Sequence, residues 1–509
     1  MRITLINPVF PLSLWDFTLS RDLEGGRYPH PPLALPTVAA LTPAGHQVRL
    51  VDENVEELDL DTPADLVGIT GYHVQQERVF WIADQFRRRG AYVALGGPLV
   101  DASTRDECLR HADAIFLGEA EYTWPRFLDE LKAGRPGRVY EQSTLVDLHD
   151  SPAPRYDLLR ADRYSTGTIE TSRGCPFGCE FCEIPTRLGK RSRTKTVDQV
   201  MTEVRSWHAL GADSIFFIDD HFIGNRNRAL ALLEELGRFA RSVDHALYFS
   251  CQFSLSYAED DELLELMYRA SFRRTFLGVE SPRKANLKTL RKLGHGETDL
   301  VSGVRRIQSY NITVWGSVIV GFDGDDTGVF AEHYELLQRA GVPVVMVGLL
   351  QALPGTPLFE RLAREGRVRD LPTRGIRGPL EGMLQSNVEP KGLSRAQLVR
   401  GFQGLIRELY EYEPFGERLV RALRGAKRPV IQSPGGLSAE KAAILARVLR
   451  YYLLTTDLRR IRMFLSVLLT TARHAPEQLE NAFLHLVVYK HLRLYHHRIA
   501  DLPLPDEDA

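Results

Sequence analysis

The chain has 509 residues, room for roughly two to four domains, and its 44% hydrophobic and 26% charged residues are the make-up of an ordinary globular protein. Its 64 basic and 66 acidic residues leave a formal charge of −2, which removes any global electrostatic reason to expect nucleic acid or an anionic membrane as partner. Five cysteines are too few for a disulfide framework and point to the reducing cytosol, and no run of about 18 apolar residues predicts a transmembrane segment.

From the amino terminus, MRITLINPVF reads as a first strand and not as a leader. Apolar runs at 3–7, 48–52, 66–70, 92–97 and 114–119 alternate with helical patterns. That spacing suits parallel strands joined by crossover helices, a doubly wound, Rossmann-like α/β domain over residues 1–140. In such sheets ligands bind outside the carboxyl ends of the strands. Residues 141–164, with the proline-rich LHDSPAPR, are expected to be a linker. A second series follows, with strands expected at 168–172, 214–219, 247–253, 275–280, 314–322 and 344–350. Six such units in 165–370 suggest a partial (β/α)6 barrel, since a full eight-strand barrel needs about 250 residues. Residues 371–509 turn helical, with stretches near 395–420 and 437–497 rich in Leu, Arg and Tyr, and the tail LPLPDEDA is expected to be disordered. His485, His491, His496 and His497 read there as packed or exposed helix residues.

The densest chemical signal is RGCPFGCEFCE, which places Cys175, Cys179 and Cys182 in a C-x3-C-x2-C pattern. Thiolates suit iron–sulfur clusters or zinc. Structural zinc asks for four protein ligands; no fourth cysteine is near, although His208 or His221 would complete a Cys3His set. Three thiolates on a cubane instead leave one iron open. Gly174, Pro176 and Gly178 supply the tight turns for such a loop.

This motif, with Phe181 before the third cysteine, resembles the radical S-adenosylmethionine (SAM) superfamily, and the likeness runs to about residue 365. It implies a [4Fe–4S] cluster on the three cysteines with SAM at the open iron. An electron from the reduced cluster would break the C5′–S bond, giving a 5′-deoxyadenosyl radical that takes hydrogen from substrate. Other SAM contacts carry over by position: Asp219 or Asp220 after the second strand, Gln252 after the third, Glu280 after the fourth, and Gly316, Ile319 and Gly321 around the adenine. The family's usual Gly-Gly-Glu is absent. Arg191, Arg193 and Lys195 are expected either to face the cluster or a carboxylate, or to lie in a solvated loop.

The first domain resembles the cobalamin-binding domain of one class of these enzymes. The landmarks are Asn7-Pro8, residues 29–54, Thr70-Gly71-Tyr72-His73, Gly96-Gly97-Pro98 and Gly118-Glu119-Ala120-Glu121. Its glycines are expected to let a corrin approach the backbone. The Asp-x-His-x-x-Gly motif of methionine-synthase-type domains is missing, so the resemblance implies cobalt without that lower ligand; His73 sits in a strand-end loop and could approach cobalt, but is expected to be hydrogen-bonded in the pocket or at the surface. Residues 386–423 and 485–495 resemble the helical domain of the subgroup that includes the hopanoid C-2 methylases. The resemblance therefore implies a cytoplasmic, cobalamin-dependent methyltransferase acting on an unactivated carbon. Its substrate would be a small molecule, a lipid or polycyclic one fitting the subgroup, with peripheral membrane contact. The electron donor would be a flavodoxin or ferredoxin, and no catalytic side chain is assigned. The alternatives are cyclisation, oxidation or rearrangement by the same radical, and a non-catalytic cobalamin or iron–sulfur sensor.

Overall fold

A computed structural model describes residues 1–243, 245–289, 299–369, 379–430 and 439–505. The chain is a mixed α/β protein with parallel sheets and a helical carboxyl-terminal region. It divides into two compact units. The first comprises Met1–Pro11, Arg27–Arg173 and Arg193–Ile218; the second comprises Leu12–Gly26, Gly174–Ser192 and Asp219–Ala509.

In the first unit, β1 (Arg2–Asn7), β2 (Gln47–Asp52), β3 (Leu66–Thr70), β4 (Tyr92–Gly96), β5 (Ala114–Leu117) and β6 (Val139–Glu141) form a sheet ordered β2-β1-β3-β4-β5-β6. Every neighbouring pair is parallel. Both faces are covered, which is why the strands read as near-continuous apolar runs. Ile3 and Leu5 pack with Leu35, Trp124 and Phe127 on one face. Ile6, Val67 and Ile69 pack with Val79, Phe80 and Phe86 on the other. The doubly wound expectation therefore holds, and the sheet runs one strand further than the apolar pattern shows. The order reverses between β1 and β3, the switch point where such sheets open a crevice.

The stretch expected as a linker is packed. Tyr156 is buried and donates from its hydroxyl to a Glu203 carboxylate oxygen at 2.7 Å, and Tyr164 donates to Asp52 at 2.7 Å. The same unit holds β7 (Gly167–Ile169), the short β8 (Ser172–Arg173) and β9 (Arg193–Thr194), which pair antiparallel, and β10 (Ser214–Phe217), parallel to β7.

The second unit carries β11 (Tyr248–Gln252), β12 (Phe272–Glu280), β13 (Thr313–Val320) and β14 (Val344–Leu349), each parallel to the next. All six strands expected of the second series are thus present in β7 and β10–β14. Helices Arg395–Leu409, Tyr412–Leu423, Ala439–Leu453, Leu458–His474 and Leu479–Ala500 follow. Within this unit Arg418 is fully buried yet satisfied, donating to the Val342 carbonyl at 2.9 Å and to Gln338 Oε1 at 3.0 Å. Of the expected disordered tail, residues 506–509 lie outside the described residues.

Candidate active site

The cysteine loop is held by its own backbone. Gly174 has φ +87°, and a Cβ there would stand 2.6 Å from the Arg191 carbonyl oxygen and 2.8 Å from that of Leu188. Its N–H donates to Asp220 Oδ2 at 3.1 Å, the Cys175 N–H donates to the Gly189 carbonyl at 3.3 Å, and Cys182 N–H donates to the Cys179 carbonyl at 3.1 Å. Gly178, by contrast, has open space where a Cβ would sit. Outside the loop, Arg361 donates from Nε to Glu180 Oε1 at 2.6 Å and from a terminal nitrogen to Asp323 at 2.9 Å. The Leu358 N–H donates to the Glu180 carbonyl at 2.9 Å. The segment between Cys179 and Cys182 is therefore clamped to the helix Pro357–Arg364. Sequence reading missed this clamp, because nothing local to Glu180 pairs it with an arginine 181 positions away.

No disulfide joins the five cysteines; Cys108 and Cys251 are buried, while Cys175, Cys179 and Cys182 are half-buried. Burial, joined by the charges of Cys179 and Asp220, pushes the Cys182 thiol up to about 11. A cation reverses that penalty, so the donor set fits a thiolate-ligated metal group better than a bare thiol set. Among the described residues no three His, Cys, Asp or Glu side chains stand close enough to share one metal ion.

The two aspartates after β10 part company. Asp220 turns to the cysteine loop, whereas Asp219 is almost fully buried, and its charge acts on Arg228 and Cys251. Gln252 closes β11, where its carbonyl accepts from the Phe222 N–H at 2.9 Å. Glu280 ends β12 in a left-handed conformation, φ +62°, after a register shift against β13 between Gly278 and Glu280. A bulge re-aims a side chain, and a non-glycine residue in that region costs about 1–3 kcal/mol, a cost that collects at functional sites.

Ile319 of β13 and Phe181 of the cysteine loop pack on one apolar cluster with Phe322, Leu350, Ala352 and Leu358. Gly321 has φ +106°, and its N–H, with that of Phe322, donates to Asp325 Oδ2 at 2.8 and 3.0 Å. Burial raises the Asp325 carboxyl, and Asn286 donates to its other oxygen at 2.7 Å. Gly316 instead backs onto Val342, 3.2 Å from where a Cβ would sit. His221, offered by the sequence only as a possible fourth zinc ligand, stands beside the cysteine loop. It is buried, its Nε2 meets no hydrogen-bond partner among the described residues, burial lowers it to about 4, and its ring stands 5.0 Å from Phe177 of the loop.

Two of the three basic residues after the loop are committed to carboxylates of the first unit. Arg193 pairs with Glu119 at 2.9 Å, and Lys195 pairs with Glu203 at 2.6 Å, both of the latter buried. Glu119 also binds Arg173 at 2.7 Å, and those two arginines with the Val146 N–H hold its carboxyl below the usual range against its burial.

At the strand ends of the first sheet, Asn7 donates to Asp52 Oδ1 at 2.9 Å after β1. Thr70 closes β3, and Gly71 follows it, then the exposed Tyr72 and His73, the latter 3.0 Å from Asp101 through Nε2. Gly97, φ +83°, lies against Thr70 and Gly71: a Cβ would meet Thr70 Oγ1 at 2.4 Å and Gly71 N at 3.0 Å. Gly71 is itself closed by Val79, and Gly118 by Gln142, while Gly96 meets only an ordinary contact with Phe116. Packing within the sheet thus accounts for Gly71, Gly97 and Gly118 before any ligand is invoked. The loops after β1 and β3 flank the switch point.

Fold and loop together define a class: an α/β protein whose sequence places three thiols just after the first strand of a second parallel series, with a doubly wound sheet preceding it in the chain. A profile of the radical SAM superfamily matches residues 169–337, and one for a domain of unknown function, DUF4070, matches residues 356–502. An uncharacterized methyltransferase of Synechocystis sp. is 34% identical over 374 residues, 73% of this chain and 70% of the relative. The hopanoid C-2 methylase of Rhodopseudomonas palustris is 36% identical over 347 residues, 66% of this chain and 65% of the relative. Among solved structures, the cobalamin-dependent SAM radical enzyme OxsB aligns with a TM-score of 0.62 at 16% identity, covering 98% of this chain and 80% of its own. The radical SAM methyltransferase TsrM of Kitasatospora setae aligns at 0.59 and 19% identity, covering 79% and 83%. The chain belongs to the radical SAM superfamily.

Proposed function

We propose that this chain is a cobalamin-dependent radical SAM methyltransferase that adds a methyl group to an unactivated carbon of a lipid or polycyclic small molecule. The observation that carries the reading is the half-buried cysteine trio, braced by Gly174 and Asp220 and sharing one side of its loop, through Phe181, with Ile319. The chemistry those groups supply when bound is one-electron cleavage of SAM and carriage of a methyl group.

Cys175, Cys179 and Cys182 would hold the cluster. Asp220 and the re-aimed Glu280 are placed in this reading to accept hydrogen bonds from the SAM ammonium and ribose, with Gln252 as a further polar partner. Phe181 and Ile319 would exclude water from the adenine, and the Gly321 turn would orient the backbone beside it. Asp219 and Gly316 support these strand ends from behind, an inference from their buried contacts. In the first unit, Asn7, Thr70, Gly71, Tyr72, His73, Gly96, Gly97, Gly118 and Glu119 mark the strand-end surface that would receive the corrin. His73 engages Asp101 through Nε2, so in this reading Nδ1 is the ring nitrogen that would be left to face a bound corrin.

Residues 1–140, 165–370 and 371–509 are our working domains. A flavodoxin or ferredoxin would donate the electron in the cytoplasm. A lipid substrate would bring the enzyme to the periphery of a membrane, for among the described residues no helix is long and apolar enough to cross one. The test is mass spectrometry of products after reconstituted protein and cell extract are incubated with methyl-labelled SAM. Label in a product, with S-adenosylhomocysteine formed in step, supports methyl transfer. Product without label would replace it with a radical rearrangement or oxidation.

A further inference from the structure

The helix Leu458–His474 has the sequence LRRIRMFLSVLLTTARH, with four arginines, one histidine and no acidic residue. The whole chain carries a net charge of only −2, so this is a local concentration. Met463, Phe464, Val467 and Thr471 form the buried face of the helix. At about 100° per residue, Leu458, Leu465 and Leu469 fall within about 40° of one another on the opposite side. Leu458 is 76% and Leu469 68% exposed, and Leu454, in the turn before the helix, is 79% exposed; these are the most exposed large apolar side chains among the described residues. Arg462 and Arg473 line one edge of the stripe, about 40–60° round from Leu458. Arg459 is taken up by Glu411 and Glu413, but Arg462 and Arg473 enter no ion pair among the described residues.

A helix with one apolar stripe in the core and a second facing water keeps the second for something else. We infer that Leu454, Leu458, Leu465 and Leu469, with Arg462 and Arg473, form a docking surface for an anionic lipid bilayer, the helix lying in the plane of the headgroups. Leucines enter the acyl boundary while arginines meet lipid phosphates, the composition of interfacial helices. Charge decides against a second copy of this chain as the occupant, because two such helices face to face would bring their arginines together. The inference deepens the peripheral placement proposed above and rests on it only for the identity of what the enzyme meets there.

The test is co-sedimentation of the full reconstituted chain with vesicles of phosphatidylcholine alone and of phosphatidylcholine mixed with phosphatidylglycerol. Wild type should pellet with the mixed vesicles. A Leu458→Ser/Leu465→Ser/Leu469→Ser variant, folded by circular dichroism because its changes are exposed, should lose roughly tenfold or more in partitioning. An Arg462→Glu/Arg473→Glu variant should lose the preference for anionic lipid. Wild type remaining in solution, or the leucine variant pelleting equally, would overturn the surface. So would light scattering that shows a wild-type dimer which the leucine variant makes monomeric. Methyl transfer to substrate in detergent is measured in parallel: transfer without vesicle binding sinks the surface alone, and vesicle binding without transfer sinks the substrate reading alone.

Discussion

Gly174→Ala tests the loop most directly. The backbone there sits at φ +87°, and the new Cβ would stand 2.6, 2.8 and 2.9 Å from three carbonyl oxygens, those of Arg191, Leu188 and Gly189. Left-handed backbone costs an L-residue roughly 1–2 kcal/mol, and overpacking against groups that cannot rotate away adds about 1–3 kcal/mol. The sum, about 2–5 kcal/mol, is concentrated on the residue before Cys175. It is enough to shift the loop between ordered and disordered by roughly 30-fold to several thousandfold. After anaerobic reconstitution, iron and sulfide per chain should fall to a small fraction of the wild-type value, while far-ultraviolet circular dichroism is kept. Gly178→Ala is the control, since nothing lies within 4 Å of its added Cβ, and it should load as wild type does. If Gly174→Ala loads fully, or Gly178→Ala fails equally, the loop does not pre-shape the ligand set and the reasoning is wrong.

Glu280→Gln should lower SAM affinity about tenfold to a hundredfold, the worth of one charge-assisted hydrogen bond, with little change in melting temperature; calorimetric titration showing unchanged affinity would remove Glu280 from the site. Lys195→Met leaves Glu203 buried without its cation and should cost about 3–5 kcal/mol in denaturant unfolding, whereas a loss of SAM binding with unchanged stability would return Lys195 to the role its sequence position suggests. His333 is fully buried, and burial lowers it to about 4, below its unfolded value of 6.5. The unfolded chain therefore binds the proton first, and stability is complete above pH 6.5 and falls as pH drops towards 4. At pH 5 the share of this one histidine is about 2 kcal/mol. His333→Phe should flatten the acid limb of a stability–pH curve by that amount, and an unchanged limb would show that the ring is solvated.

Much of the fold was legible because its strands are buried on both faces and announce themselves as short apolar runs; β3 spans Leu66–Thr70, the span read from LVGIT. Strand β6 escaped, since three residues, VYE, carry no periodicity. The cysteine trio was legible because its spacing is local. Asp219 and Asp220 could not be separated by spacing, since which of two neighbours faces a loop depends on where the strand ends in space. Arg193 and Lys195 looked available beside the cysteines until their partners appeared, Glu119 from 74 positions away for the one and Glu203, on the helix that follows, for the other.

The sequence by itself determined the chemistry on offer: three thiols at one loop, two parallel α/β series, a helical end. These are short-range properties, set by ligand spacing and by the period at which side chains meet an apolar core. Only the tertiary structure decided which charges are spent on one another and which surfaces stay bare. Residues 12–26 show this most clearly. Nothing in their sequence announces a destination, yet Trp15 lies 6.4 Å from Trp315 and Phe17 lies 5.4 Å from His491 in the second unit. Likewise, no composition count foretold that the apolar stripe of Leu458–His474 would remain in water. Such outcomes follow from packing between residues far apart in the chain, and packing is decided when the whole molecule competes for the same buried volume.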